Sequence, residues 1–262
     1  MNVIKVGIDV SSLNNNGTGV IDFPPIKAAG YDFAMIKVGY GTSASGTFKG
    51  YISKSFVPQL TQAQTAGMDT GVYWWMNAVT VEQAKIEAQA CLDAIKGYKL
   101  TYPVCLDQEY DSPCGKWGVN KNRQLRTDMA LAFLEMIQKA GYYAMFYSSA
   151  DWLTNWVYPA QLTAYDKWVA DVRKGVTAPG FSGSFGIWQH SWVGRLPGNN
   201  FDIDLDRAYK DFPTLIRNAS LNHLADNTQS NQPSEPPVVS GSYVLSLSDL
   251  IAKGYSDILI KP

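Results

Sequence analysis

Hydrophobic and polar positions along the first 220 residues follow two periods. Short apolar runs typical of buried strands alternate with longer segments whose apolar residues recur every three to four positions, as on one helix face. The predicted strands are Val3–Val10, Asp32–Val38, Thr70–Met76, Tyr102–Leu106, Tyr142–Tyr147, Lys167–Val172, Ser184–Gln189 and Phe201–Leu205. The predicted helices are Val57–Ala66, Thr80 to about Lys96, and Arg123–Ala140, and a glycine follows each of them.

Strands and helices that alternate at this spacing predict parallel β-α-β units, and about eight strands favour a closed barrel. Because no clear helix separates the last three strands, we expect an irregular TIM-like (β/α) barrel with missing or short late helices. An open doubly wound sheet is the alternative. It would require a Gly-rich phosphate loop after the first strand, where Asp9-Val10-Ser11-Ser12 stands instead.

The composition changes near residue 222, where a polar, proline-rich stretch begins. We therefore expect a barrel domain at residues 1–220, a Pro/Ser/Asn-rich linker at 221–242 and a short C-terminal segment at 243–262. A segment of 20 residues cannot bury a core by itself. It either docks on the barrel, remains loose or pairs with another chain, which makes it a candidate oligomerisation element.

Charge and composition argue against several classes of protein. The formal net charge is −1 without a basic stripe, so nucleic acid is not an expected partner. No apolar run approaches transmembrane length and the N-terminus lacks a signal-peptide pattern, so we expect neither a membrane partner nor an export signal. Three cysteines without metal-ligand spacing argue against a disulfide framework and structural zinc.

Acidic residues stand at the ends of three predicted strands. Asp9 ends the first strand, Asp107 and Glu109 follow the fourth, and Asp202, Asp204 and Asp206 lie around the last. The active site of a parallel barrel lies at the carboxyl ends of its strands. We therefore expect these carboxyl groups to meet at one rim.

The spacing of Asp107 and Glu109 suits acid catalysis, because residues i and i+2 of a strand point to the same side. Crowding of two carboxylates raises the proton affinity of one, which can then act as a general acid near neutral pH. Glycosidic cleavage needs such an acid and a second carboxylate. The pair alone leaves open a solvated strand end, a salt bridge, or an all-oxygen magnesium or calcium site.

One short segment on or beside each predicted strand carries a recognisable pattern. These segments are Gly7–Ser11, Phe33–Gly41, Gly71–Trp75, Tyr102–Glu109, Ala140–Ser148, Trp168–Ala170, Ile187–Ser191 and Ile203–Asp206. In this order they resemble the strand motifs of the glycoside hydrolase family 25 lysozymes, the muramidases found in phage endolysins and bacterial autolysins. The resemblance covers residues 3–210.

The resemblance implies a role for each matching residue. Glu109 would be the general acid, Asp107 its carboxylate partner, and Asp9 and Asp204 the remainder of an acidic rim. The groove would be lined by Tyr73, Trp75, Tyr147, Trp188, Gln189 and Lys37. The alignment leaves open which of Asp202, Asp204 and Asp206 faces the site. It also leaves open whether Asp107 is a nucleophile or orients the substrate's own N-acetyl group.

The same resemblance implies an activity. We expect an N-acetylmuramidase that cleaves the β-1,4 bond between N-acetylmuramic acid and N-acetylglucosamine in bacterial peptidoglycan, with no cofactor and no metal. The lack of a signal-peptide pattern fits a phage endolysin made in the host cytoplasm and released to the cell wall by a separate holin-type protein. The alternatives are a non-catalytic wall-binding module and a chitinase-like glycosidase.

Overall fold

A computed structural model describes residues 2–14, 19–43, 46–117 and 122–224. The strands are β1 (Lys5–Val10), β2 (Phe33–Thr42), β3 (Lys49–Ile52), β4 (Asp69–Trp75), β5 (Val104–Asp107), β6 (Ala144–Ser149), β7 (Asp166–Ala170), β8 (Ile187–Gly194) and β9 (Ile203–Ala208). The helices are α1 (Phe23–Ala28), α2 (Phe56–Thr65), α3 (Val81–Ile95), α4 (Arg123–Lys139), α5 (Ala150–Asn155) and α6 (Phe212–Asn218). A π-helical turn covers Pro113–Trp117 and a 3-10 helix covers Pro159–Leu162.

The sheet closes on itself as an eight-stranded barrel. Its order is β1-β9-β8-β7-β6-β5-β4-β2, and pairing of β1 with β2 joins the two ends, while β3 extends from β2 outside the barrel. In the part of the chain that is described, no helix separates β7 from β8 or β8 from β9. The prediction of an irregular barrel with missing late helices is therefore confirmed.

Strand β9 runs antiparallel to both of its neighbours, β8 and β1, so the predicted parallel β-α-β units do not extend to this strand. The connection between β8 and β9, residues 195–202, is too short for a crossover, since parallel strands need a dozen or more linking residues. The start of β9 consequently lies at the rim where the other barrel strands end.

Side chains that face the barrel interior fill its lower half with aromatic and apolar groups. Phe33 and Tyr102 stack there with ring centroids 4.4 Å apart. Gly7 leaves room for this pair, because a Cβ at Gly7 would lie 2.5 Å from the Phe33 ring. Phe212 and Ile216 of α6 are fully buried against the same cluster. The lower half is thus packed, and the polar groups occupy the upper half.

The three predicted helices correspond to α2, α3 and α4, with ends within about two residues of the predicted ones. Helix α3 begins as its sequence indicates, since Thr80 Oγ1 accepts a hydrogen bond from Gln83 N at 3.2 Å and Gln83 Oε1 accepts one from Val79 N at 2.9 Å. The remaining helices, α1, α5 and α6, and strand β3 are four to seven residues long, which is too short for a periodic pattern in the sequence.

Residues 221–224 pack at the lower end of the barrel, where the Asn222 side chain is buried. The rest of the predicted linker and the predicted C-terminal segment lie outside the described residues. The three cysteines are buried free thiols. Among the described helices, none is long and apolar enough to cross a membrane.

Candidate active site

The upper interior of the barrel holds a group of polar side chains that come from seven strands. The group consists of Asp9, Lys37, Tyr73, Asp107, Glu109, Tyr147, Gln189, Asp204 and Asp206. All four acidic residues predicted from the sequence are among them. Their charges act on one another across the cavity, so the barrel brings together groups that are far apart in the chain.

The backbone at Asp107 and Glu109 is held from the outside by the residue between them. Gln108 is fully buried and points away from the cavity, where its Oε1 accepts a hydrogen bond from Trp152 Nε1 at 3.1 Å. Its carbonyl oxygen accepts one from Ser148 Oγ at 2.5 Å. Because side chains alternate along a strand, fixing Gln108 outward directs Asp107 and Glu109 inward.

Burial is the first cause that raises the pKa of both carboxyl groups in this pair. The pKa of Asp107 lies well above its usual value because the side chain is buried and because the neighbouring Glu109 carboxylate repels its negative charge. The pKa of Glu109 is also raised by burial, although Tyr147, Lys37 and Asp107 favour its charged form. A buried carboxyl group that holds a proton at higher pH is what general acid catalysis requires.

A second group of carboxyls lies where β1 pairs with β9. Asp9, near the end of β1, is directly opposite Asp204, near the start of β9. Burial, followed by repulsion from Asp204 and then Asp206, raises the pKa of Asp9 well above its usual value. Burial and then the Glu109 charge raise the pKa of Asp204 to about 7.

The three aspartates around β9 occupy different depths. Asp206 is fully buried below Asp204, and its Oδ1 accepts a hydrogen bond from Trp168 Nε1 at 2.7 Å. Asp202 precedes the strand and forms an ion pair with Arg195 over 2.9 Å, with 44% of its side chain exposed. Asp204 is therefore the member of this set at the rim of the cavity.

Gln189 connects the two sides of the cavity through four hydrogen bonds. Its Nε2 donates to Asp9 Oδ2 at 2.7 Å and to Asp204 Oδ2 at 3.3 Å. Its Oε1 accepts from Tyr147 OH and from Trp192 Nε1, both at 2.9 Å. Because the indole N–H can only donate, the orientation of the Gln189 amide is fixed by its partners.

Lys37 supplies a positive charge on the β2 side of the cavity. Its Nζ lies 4.5 Å from the centroid of the Trp75 ring and 5.9 Å from that of Tyr40. Burial lowers the pKa of Lys37, while Asp107, Glu109 and Asp9 raise it. Trp75 is partly exposed at the end of β4, so a flat aromatic face stands beside the charged groups.

Tyr73 and Tyr147 form the floor under the carboxyl groups. Both rings contact Trp168, with centroid distances of 5.9 Å for Tyr73 and 4.5 Å for Tyr147. Burial, followed by neighbouring carboxylates, raises the pKa of both hydroxyls well above their usual value. They therefore remain neutral hydrogen-bonding groups.

Trp188 does not line the cavity, in contrast to the expectation from the sequence. It neighbours Gln189 on β8, so it points out of the barrel, where it is 1% exposed and donates from Nε1 to the Asp171 carbonyl at 2.9 Å. Trp192, which the sequence did not single out, reaches the site and is 55% exposed. The β8–β9 register shifts after Gln189, so simple alternation fails there.

The barrel order sets the geometry of the site. In the closed ring, β5 lies opposite β9 and β4 lies opposite β8. The Asp107–Glu109 pair thus faces the Asp9–Asp204 pair across the opening, and aromatic Trp75 and Trp192 mark the other two sides. Among the described residues, no set of three or more His, Cys, Asp or Glu side chains is arranged to hold a metal ion. The arrangement suits proton donation to a polar ligand that lies between the two carboxyl pairs.

Comparison with known sequences gives one family. The sequence model described as "Glycosyl hydrolases family 25" matches residues 8–199. This range includes all or part of seven of the eight barrel strands and most of the polar residues described above, but it ends before β9 and Asp204. None of the curated proteins matches the chain.

Several solved structures share the fold. The CTP1L endolysin is 25% identical, with a TM-score of 0.64 over 82% of this chain and 70% of that chain. A bacterial lysozyme from Streptomyces coelicolor is also 25% identical, with a TM-score of 0.64 over 82% of this chain and 96% of that one. A family 25 glycosyl hydrolase from Bacillus anthracis, 22% identical, has a TM-score of 0.64 and coverages of 82% and 93%.

Proposed function

The chain belongs to glycosyl hydrolase family 25, and from that membership we propose that it hydrolyses peptidoglycan as an N-acetylmuramidase. The bond cut is the β-1,4 linkage between N-acetylmuramic acid and N-acetylglucosamine. The observation that carries this proposal is the buried Asp107–Glu109 pair facing Asp9 and Asp204 across one cavity. The likeness to an endolysin and to a bacterial lysozyme adds support.

Glu109 is proposed as the general acid. Its position past the end of β5 places it at the rim, and burial raises its pKa, which favours the protonated form that must reach the glycosidic oxygen. Protonation of this oxygen lets N-acetylglucosamine leave with its 4-hydroxyl group. Positive charge then develops at C1 of the muramic acid residue.

For Asp107 we propose that it orients the substrate's 2-acetamido group rather than attacking C1 itself. Burial raises the pKa of Asp107 well above its usual value, which favours the protonated form, and a neutral carboxyl group is a poor nucleophile. The acetamido oxygen would then stabilise C1. Analysis of the first-formed product anomer by NMR tests this route, since substrate assistance retains the configuration and an inverted product contradicts it.

Asp9, Asp204 and Gln189 are proposed to hold substrate or water on the side opposite Glu109. Gln189 donates to both carboxyl groups, so the three side chains form one hydrogen-bonded group. Tyr73, Tyr147, Trp75 and Lys37 are proposed to contact the glycan. No step of this chemistry needs a cofactor.

The biological role proposed is that of a phage endolysin, which acts on the cell wall after release from the host cytoplasm by a separate holin-type protein. The 25% identity to the CTP1L endolysin supports this role.

The experiment that tests the activity is mass spectrometry of a peptidoglycan digest after borohydride reduction. Reduced muramic acid at the new ends is the expected result, and reduced glucosamine would contradict the assigned bond. A parallel digest of chitin separates the proposal from a chitinase-like activity, because chitin is expected to remain uncut.

A further inference from the structure

A cleft of about 520 Å³ opens beside the candidate active site, between α5 and the loop that follows β7. Ser149 and Ala150 form one wall, Asp171 and Arg173 the other, and Trp192 closes one end. Trp192 also donates to Gln189, so the cleft adjoins the cavity that holds the carboxyl groups, with Trp192 between the two. Its volume is that of a site for a ligand of several residues or rings rather than for a single small ion.

Arg173 is fixed in this cleft by a buried carboxylate. Its Nε donates to Asp171 Oδ1 at 2.8 Å and its Nη2 to Asp171 Oδ2 at 2.7 Å. The Asp171 side chain is 4% exposed and also accepts a hydrogen bond from Gly180 N at 2.7 Å, whereas the Arg173 side chain is 65% exposed. The carboxylate therefore faces the protein, and the guanidinium presents its other N–H donors to the cleft.

The loop is closed tightly around this guanidinium. A Cβ at Gly180 would lie 2.6 Å from Arg173 Nη2. On the other side, the Asp171 backbone is bound to β8, because its N–H donates to the Gln189 carbonyl at 3.0 Å and its carbonyl accepts from Trp188 Nε1 at 2.9 Å. The arginine is thus held in one orientation before any ligand arrives, which lowers the entropy cost of binding.

Each wall presents a charged group, the Arg173 guanidinium on one side and the Asp151 carboxylate on the other. Asp151 on the α5 wall accepts hydrogen bonds from Asn155 Nδ2 at 2.7 Å and from Trp156 Nε1 at 3.1 Å. A ligand with a carboxylate toward Arg173 and N–H groups toward Asp151 matches both walls. A short peptide with free carboxylates has this chemistry, whereas a neutral sugar lacks the anion.

On the basis of the proposed function, we propose that this cleft binds the peptide stem of muramic acid and that Arg173 recognises a stem carboxylate. The stem leaves the sugar through a lactyl ether on C3 of the same muramic acid residue whose C1–O bond is to be cut. A muramic acid residue at Glu109 would therefore carry its peptide toward an adjoining cleft. Arg173 would raise affinity for stem-bearing glycan without taking part in the chemistry.

The test compares three soluble glycan substrates. One bears N-acetylated peptide stems, the second has the carboxylates of the same stems converted to methylamides with carbodiimide, and the third has lost its stems to an amidase and keeps only the lactyl carboxylate. Wild-type protein is expected to show a KM about three- to tenfold higher on the methylamide substrate than on the first, with kcat unchanged. Arg173→Gln is expected to show the same raised KM on both.

Two further variants keep the test decisive. Arg173→Lys retains the charge without the paired geometry and is expected to show a smaller difference in KM between the first two substrates than wild type. This variant also serves as the test if Arg173→Gln does not fold. Arg195→Gln is the matched control, because Arg195 is also ion-paired and its side chain is 64% exposed, but it lies outside the cleft. It is expected to behave as wild type.

Equal wild-type KM values on the first two substrates would overturn the inference, as would an Arg173→Gln variant that still distinguishes them. An undiminished effect of Arg173→Gln on the amidase-treated strands would assign the arginine to the lactyl carboxylate and overturn the stem assignment. If wild-type protein cleaves none of the three substrates, the proposed function itself is overturned.

Discussion

Gln189 Nε2 donates a hydrogen bond to Asp9 Oδ2 over 2.7 Å, joining two strands that are not neighbours in the sheet. Gln189 lies on β8 and Asp9 on β1, and β9 separates them. The bond crosses β9 on the inner face of the barrel. It couples the carboxyl pair at β1 and β9 to Tyr147 and Trp192, which bind the other end of the same amide.

Gln189→Leu is expected to reduce kcat on peptidoglycan by about 10- to 100-fold. Leucine has a similar size but leaves Asp9 without its donor and the Tyr147 hydroxyl without its acceptor, so both groups lose their fixed orientation. Initial rates at several substrate concentrations separate kcat from KM. The control is Gln64→Leu, because Gln64 also makes two side-chain hydrogen bonds but lies at the opposite end of the barrel. Equal losses in both variants would show a general effect of destabilisation.

Asp204→Asn is expected to flatten the fall of thermal stability with pH. Burial raises the pKa of Asp204 to about 7, so its folded-state pKa lies above the unfolded value of 3.8. The protonated form is favoured in the folded state, and the resulting stability is present at low pH and lost as pH rises through about 7. The variant has no such group and should gain stability relative to wild type as pH rises from about 4 to about 7, by about 1.4 kcal/mol per unit of pKa difference at most.

Asp202→Asn is the matched control for that measurement. Asp202 lies two residues earlier, is 44% exposed and pairs with Arg195. Its removal is expected to change the slope of melting temperature against pH much less than Asp204→Asn does, because its charge raises the pKa of Asp204 less than burial and Glu109 do. Parallel curves for wild type and Asp204→Asn would contradict the assigned burial of Asp204.

Asn222→Ala is expected to destabilise the protein by about 2 to 4 kcal/mol. The Asn222 Oδ1 accepts from Tyr143 N at 2.8 Å, and its Nδ2 donates to the Leu100 and Tyr102 carbonyls at 2.8 and 3.0 Å. These buried groups would lose their partners. Urea unfolding of the full chain measures the difference in free energy.

The same contacts predict where the barrel domain can be shortened. A chain that ends after residue 224 is expected to keep the melting temperature of the barrel, because it retains Asn222. A chain that ends at residue 220 is expected to lose about as much stability as Asn222→Ala or more. Equal stability of the two shortened chains would show that residues 221–224 do not contribute.

The Asp107–Glu109 pair could be placed from the sequence because its position depends on local rules. Asp107 and Glu109 follow an apolar strand, and alternation puts both on one face. The barrel itself followed from repeated strand and helix periods. Both depend on patterns several residues long, which a single sequence contains.

Strand direction and register could not be read in the same way. The position of Asp204 at the rim depends on β9 being reversed, which is a property of the short connection before it and of its pairing with β1. Trp188 and Trp192 differ in exposure because the register shifts after Gln189. Neither the direction of β9 nor the register shift after Gln189 produces a recognisable pattern in the local sequence.

The cleft and the position of Arg173 in it could not be predicted from the sequence either. Asp171, Arg173 and Gly180 lie in a segment without periodicity, and their contacts arise only after the loop folds against α5. Short elements such as α5 and α6 are stabilised by tertiary packing rather than by their own propensity, so their prediction from the sequence was not possible.

The most direct test of the account is the rate of cell-wall turbidity loss with Glu109→Gln. This substitution removes the acidic proton that the leaving oxygen needs and preserves the shape of the side chain. Because it replaces a buried ionisable group by a neutral one, we expect the variant to fold. Glu135→Gln makes the same chemical change on α4, where Glu135 pairs with Lys139 over 3.4 Å, and is the matched control.

Glu109→Gln is expected to lower the initial rate by about 10²- to 10⁴-fold, with an unchanged or higher melting temperature. Glu135→Gln is expected to lyse the cell walls at the wild-type rate. A Glu109→Gln variant that clears the suspension at the wild-type rate would contradict the assignment of Glu109 as the acid catalyst.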